Sequence, residues 1–121
     1  MSIEQKIAPS NSIVFVSDPT QSADIPIDPG LSLVSASRNC VCVGTLAEVD
    51  GETMIRLGSD FANPEGEIVF DGSIETPGHR LAVSDASAIE ILAIDVPSSL
   101  TRLTIWANDP IEPDVILIRA R

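Results

Sequence analysis

The chain has no tyrosine, one tryptophan, one histidine, two cysteines and only seven lysine or arginine residues among 121. Each shortage excludes a chemistry. A structural zinc site takes four Cys or His ligands, and Cys40, Cys42 and His79 exhaust the supply. A histidine relay needs a nucleophile and an orienting acid around His79, yet no G-x-S-x-G elbow is present. Scarce aromatics count against sugar sites, which stack their ligands on ring faces. Seven cations against 18 Asp and Glu leave a net charge of −11. That excludes a sequence-independent binder of nucleic acid, which needs a basic face. Neither G-x-G-x-x-G nor G-x-x-x-x-G-K-[ST] occurs, and no D-x-D-x-D-G calcium loop does. No apolar run approaches the ~18 residues of a membrane span. Ser2-Ile3-Glu4-Gln5 lacks the cationic start of a secretory leader, so the expected location is the cytoplasm. No catalytic residue and no cofactor or metal site is assigned.

What is present is punctuation. Nine Pro and seven Gly divide a chain that is 44% hydrophobic into short apolar runs with little helical period. Ser12 to Val16 and Leu31 to Ser35 read as strands separated by a Pro-rich loop, Asp18 to Pro29. Asp50-Gly51 signals a two-residue hairpin turn, which would pair Leu46 with Ile55 and Cys42 with Ser59. Glu67 to Glu75 alternates almost without error and reads as a half-buried antiparallel strand. Thr76-Pro77-Gly78 ends it. Leu81 to Val83, Arg102 to Ala107 and Val115 to Ile118 are further strands. Residues 86–94 admit a strand or, because Ser84-Asp85 can cap, a helix; the Ile94-Asp95-Val96-Pro97 ending favours the strand. Together these predict an all-β fold over residues 1–121, a single antiparallel β-sandwich domain of about eight short strands, jelly-roll-like or immunoglobulin-like.

Acids supply the candidate site. Between Asp60 and Glu75 there are five carboxylates and no base. Strict alternation puts Glu67, Asp71 and Glu75 on one strand face, roughly 13 Å apart at each step. With Trp106 as an apolar anchor and Asp109, Glu112 and Asp114 in the last loop, they are the candidate partner-binding residues. A bland reading stands beside this one: a solvated acidic face and a half-buried Trp. His79 reads as an exposed turn residue, and Cys40 and Cys42 as two small buried apolar side chains. The function expected is that of an acidic, non-enzymatic protein-binding module of inhibitor or immunity type, its partner a basic protein such as a nuclease. The alternative is a ligand- or calcium-binding β-sandwich. It requires the loop of Asp18, Asp24 and Asp28 to meet that of Asp109, Glu112 and Asp114 at one end.

The order of features resembles the small bacterial competence protein J family. The similar features are an opening strand Ile13-Val14-Phe15-Val16, a loop bearing Pro and Asp, a central hairpin and a strand ending Ile74-Glu75-Thr76-Pro77. Then come Ile94-Asp95-Val96-Pro97, a Trp-bearing Leu103-Thr104-Ile105-Trp106, and a final Asp114-Val115-Ile116-Leu117-Ile118. The resemblance implies an inhibitor that binds and silences a DNA-degrading nuclease during DNA uptake. Trp106 is the distinctive match. The chain departs from the family in being shorter, without Tyr and poorer in aromatics.

Overall fold

A computed structural model describes residues 2–26 and 32–121. Among the described residues ten strands form two five-stranded sheets: β1 (Ser2–Ile7), β2 (Ile13–Ser17), β3 (Val34–Ala36), β4 (Cys40–Gly44), β5 (Thr53–Gly58), β6 (Glu67–Glu75), β7 (Arg80–Asp85), β8 (Glu90–Asp95), β9 (Leu100–Ala107) and β10 (Val115–Ala120). The first sheet runs β1-β5-β10-β9-β6 and the second β3-β4-β2-β7-β8. The expected β-sandwich is therefore present, with ten strands where about eight were expected. All pairs are antiparallel except β5 with β10. Leu31, which the sequence assigned to the second strand, and Asp28 of the proposed calcium set lie outside the described residues.

The core follows from alternation. Val14, Val16, Val41, Val43, Leu81 and Val83 face inward from one sheet, and Ile55, Leu57, Ile74, Leu103, Ile105, Ile116 and Ile118 from the other, all without solvent exposure. Facing rows of branched side chains fit a pleated sheet and exclude water between the layers.

The expected Asp50-Gly51 hairpin does not form. β4 pairs with β2 and β3, while β5 pairs with β1 and β10 in the opposite sheet. Residues Cys40–Val43 are buried on both strand faces, so β4 is an interior strand needing a partner on each side. A type I′ turn requires positive φ at both central residues. Gly51 has φ 141°, but Asp50 does not join it and instead closes a 3-10 turn with its N–H on the Ala47 carbonyl at 2.8 Å. The chain crosses between sheets there.

Residues 86–94 resolve in favour of the strand, β8. The Asp85 side chain does cap, but it caps a turn: its carboxylate accepts the Ser87 and Ile89 N–H groups at 2.9 and 3.1 Å.

Two ends of the sandwich differ in what they carry. At one end lie residues 8–12, 45–52, 86–89 and 108–114. At the other, Asp18 is fully enclosed, taking the Thr20 N–H and hydroxyl at 2.8 and 2.7 Å and the Gly78 N–H at 2.6 Å. Burial alone would raise its pKa. The three donors, with His79 nearby, outweigh it and hold the carboxyl below the usual range.

Candidate functional site

The end formed by Thr45–Glu52 and Asn108–Asp114 is the acid-rich one. Glu48, Asp50, Glu52, Asp109, Glu112 and Asp114 are all exposed there, and the four segments contain no Lys or Arg. Local chemistry fixes both loops. Asp109 accepts the N–H groups of Glu112 and Ile111 at 2.7 and 2.9 Å, which hold its carboxyl below the ordinary range. Asn108 bridges the far side of the same loop. Its amide nitrogen donates to Asp114 at 2.7 Å, and its oxygen accepts the Asp114 and Val115 N–H groups, both at 3.1 Å. Glu48 is held by its N–H on the Ser12 hydroxyl at 2.9 Å. The Leu46 N–H on the Pro113 carbonyl at 2.8 Å ties one loop to the other. Between them opens a cleft of about 730 Å³ whose walls include Ile13, Phe15, Ala47, Pro110, Ile111 and Glu112.

At this end sequence reasoning missed Glu48, Val49, Asp50 and Ile111. Val49 is 89% and Ile111 76% exposed, the highest values among the exposed large hydrophobic residues. Their signal is isolated β-branched residues next to carboxylates inside turn-forming segments, Glu48-Val49-Asp50 and Ile111-Glu112.

The acids of β6 divide. A bulge between Ile68 and Phe70 puts Glu67 opposite Ala107 and Asp71 opposite Thr104. Glu67 and Asp71 therefore face opposite sides of the sheet, and the expected common face of Glu67, Asp71 and Glu75 does not exist. Glu67 lies at the acid-rich end. Asp71 and Glu75 face outward nearer the other end and are matched by cations. Arg102 holds Asp71 in a two-point contact at 2.9 and 3.1 Å, pulling its pKa down, with Thr104 also bonded to it. Arg38 reaches Glu75 at 3.8 Å and Asp24 at 2.8 Å.

Trp106 is not an exposed anchor. It faces outward from β9 but is only 8% exposed, because residues 59–66 cross that face between β5 and β6. Phe61 meets its ring edge-on at 6.3 Å, and the Arg119 guanidinium lies 5.1 Å from its centroid. Arg56 stacks on Phe61 in turn, at 5.4 Å.

The same face gathers the cations. The registers of β1, β5, β9 and β10 point Lys6, Arg56, Arg102 and Arg119 outward from this sheet. Arg121, paired backbone to backbone with Arg102, joins them, which makes five of the seven. Arg38 and Arg80 lie near the opposite end, in contact with Asp24 and Asp95. Charge is therefore unevenly spread: this face mixes its five cations with Glu4, Asp71 and Glu75, whereas the loops of the acidic end carry no Lys or Arg. Lys6 approaches the acidic end on its flank, lining a shallow hollow with Glu52 and Asp114, and leaves Glu48, Asp50, Asp109 and Glu112 at the tip.

The calcium arrangement is not assembled. Asp18 and Asp24 lie at the opposite end from Asp109, Glu112 and Asp114, with Asp18 committed to Thr20 and Gly78 and Asp24 to Arg38. Among the described residues no three His, Cys, Asp or Glu side chains are grouped to hold a metal. His79 is an exposed turn residue at φ 55°, as expected. Cys40 and Cys42 are free and buried. Their mutual hydrogen bond and burial push the Cys40 thiol well above its ordinary pKa.

Two solved structures share this architecture over nearly the whole chain. The crystal structure of ComJ, inhibitor of the DNA degrading activity of NucA, from Bacillus subtilis, superposes with a TM-score of 0.68. The chain has the ComJ fold. The match covers 99% of this chain and 96% of ComJ at 16% identity. The product of crocagin biosynthetic gene J matches at a TM-score of 0.51 and 16% identity, over 98% and 94% of the two chains. No family model and no curated protein sequence matches. The ordered features from Ile13 to Ile118 thus identified a fold that residue identities alone carry only faintly.

Proposed function

We propose that this chain is a non-catalytic inhibitor that works by binding a protein, and that its partner is a basic nuclease. The observation that carries the reading is the whole-chain match to ComJ, a protein described as a nuclease inhibitor. The charge distribution supports a basic partner. Cations are collected on the β1-β5-β10-β9-β6 face, several already matched by Glu4, Asp71 or aromatic rings, while the tip at Glu48, Asp50, Asp109 and Glu112 is left uncompensated. Opposite surface potentials speed encounter and select partners. A net charge of −11 disfavours direct contact with nucleic acid.

The whole chain, 1–121, acts as one module in this reading and needs no cofactor. In this reading the chain works in the cytoplasm, where its two buried free thiols stay reduced. Among the described residues no helix is long and apolar enough to cross a membrane.

The test is a DNA-degradation assay with NucA as the target nuclease. The chain alone leaves DNA intact and, added in stoichiometric excess, stops NucA. DNA cleavage by the purified chain, or undiminished NucA activity in its presence, contradicts the reading.

A further inference from the structure

We propose that Val49 and Ile111 are the apolar anchors by which the acidic tip enters the nucleic-acid-binding cleft of its nuclease, so that Glu48, Asp50, Asp109 and Glu112 occupy the place of substrate phosphates. The inference rests on the inhibitor reading and adds the surface, the mode and a competitive mechanism.

Val49 and Ile111 stand 89% and 76% exposed, Val49 between Glu48 and Asp50 and Ile111 beside Glu112, two residues after Asp109. Large β-branched side chains held in water contribute nothing to the core, which the two sheets complete without them. Both loops that present them are braced by hydrogen bonds to backbone N–H groups. Val49 is the middle residue of a 3-10 turn closed by the Asp50 N–H on Ala47 and braced by Ser12. Ile111 sits in the turn that Asp109 holds through two backbone N–H groups. A preorganised surface loses little entropy on docking. Apolar anchors within a polar rim reproduce the anatomy of an interface hot spot.

Shape and charge together choose the occupant. Both anchors lie largely exposed on loops at the end of the sandwich, Ile111 on the wall of the cleft there, so they are free to enter a groove of a partner. A nuclease must hold phosphates, so its DNA-binding cleft is concave and cationic. The outer face of the β1-β5-β10-β9-β6 sheet mixes its cations with Glu4, Asp71 and Glu75 and offers that target no uniformly negative surface, and its one tryptophan is already covered by Phe61.

Degradation of plasmid DNA by NucA, at several DNA concentrations and fixed amounts of the chain, reads the mechanism. Added DNA relieves inhibition in proportion to its concentration. The double variant Val49→Ser/Ile111→Ser raises the inhibition constant about hundredfold, tenfold for each anchor, with an unchanged melting temperature. Glu48→Gln/Glu112→Gln, which leaves both turns bonded, also weakens inhibition. Asp71→Asn/Glu75→Gln changes it less than about threefold, as exposed and already matched charges should. Inhibition that is indifferent to DNA concentration, or a double variant as potent as the wild type, overturns the docking inference and leaves the inhibitor reading standing. Failure of the wild-type chain to inhibit overturns both.

Discussion

Phe61 stands edge-on to Trp106, 80° between ring planes and 6.3 Å between centroids, and fastens the segment between β5 and β6 across the outer face of a sheet. Arg56 and Arg119 close the stack on either side. Gly66 completes the fastening near β9: at φ +90°, it lies so close to Ala107 that a Cβ would fall 2.3 Å from the carbonyl oxygen. The crossing is thereby held by an aromatic contact at one point and a glycine contact at another.

Truncating the aromatic contact should loosen the crossing without dissolving the core. Phe61→Ala is expected to cost about 1–3 kcal/mol, less than a fully buried Phe because Phe61 is half-exposed. Trp106 emission should shift to the red as water reaches the indole. Urea denaturation followed by fluorescence reads both, and an unshifted spectrum contradicts the contact.

Gly66→Ala is expected to be worse than its size suggests. The new methyl meets backbone, which cannot rotate away, and the residue must also hold a positive φ. A loss of about 2 kcal/mol or more is expected in the same denaturation experiment. A stability equal to wild type would show that residues 65–67 do not approach Ala107.

Asp18 makes stability depend on pH. Its folded pKa is below the unfolded value near 3.9, so its contribution is complete above that pH and is lost as pH falls through the folded pKa. In Asp18→Asn the amide nitrogen has to face either the Thr20 or the Gly78 donors, and one set loses its acceptor. A deficit of about 1–3 kcal/mol is expected at neutral pH. The gap between wild type and variant should narrow below about pH 4. A constant gap from pH 7 to pH 3 contradicts the assignment.

Cys40 and Cys42 should be silent to a thiol reagent in the folded protein. Both are buried, and Cys40 is held as the neutral thiol, which is the unreactive form. Reaction with Ellman's reagent is expected to track global unfolding in denaturant. Rapid labelling of two thiols in buffer would contradict the burial.

What the sequence disclosed and what it hid divide along range. Strands from Ile13 to Ile118 were visible because inward and outward positions alternate locally, as in Leu103, Ile105 and Ala107 against Trp106. β1 was not visible: Gln5 occupies an inward register position between Ile3 and Ile7 and breaks the apolar alternation. The partner of a strand is a long-range choice. Asp50-Gly51 carries a strong local turn signal, yet β4 takes β2 and β3 as its neighbours and β5 takes β1 and β10, strands distant in sequence. The bulge beside Val69 leaves one local sign, an apolar residue between Ile68 and Phe70 where alternation calls for a polar one, but the slip itself is made in pairing with β9. Of the candidate site, Asp109 and Glu112 lie exposed in the last loop, with Asp114 on its flank and Glu67 at the same end. Asp71, Glu75 and Trp106 were engaged by Arg102, Arg38 and Phe61, contacts made across the sheet or from a segment 40 or so positions away.

The central claim, that the uncompensated acidic tip captures a basic nuclease, is tested most directly by the association rate measured by surface plasmon resonance across a salt series. Immobilised NucA would be the target, with wild type compared to Glu48→Gln/Glu112→Gln and to Asp71→Asn/Glu75→Gln. Raising salt from 0.1 to 1 M shortens the Debye length from about 10 to 3 Å. The wild-type on-rate should fall at least about tenfold while dissociation changes less. Glu48→Gln/Glu112→Gln should start slower and depend less on salt, and Asp71→Asn/Glu75→Gln should follow wild type. An on-rate indifferent to salt, or equal for wild type and Glu48→Gln/Glu112→Gln, would contradict the account.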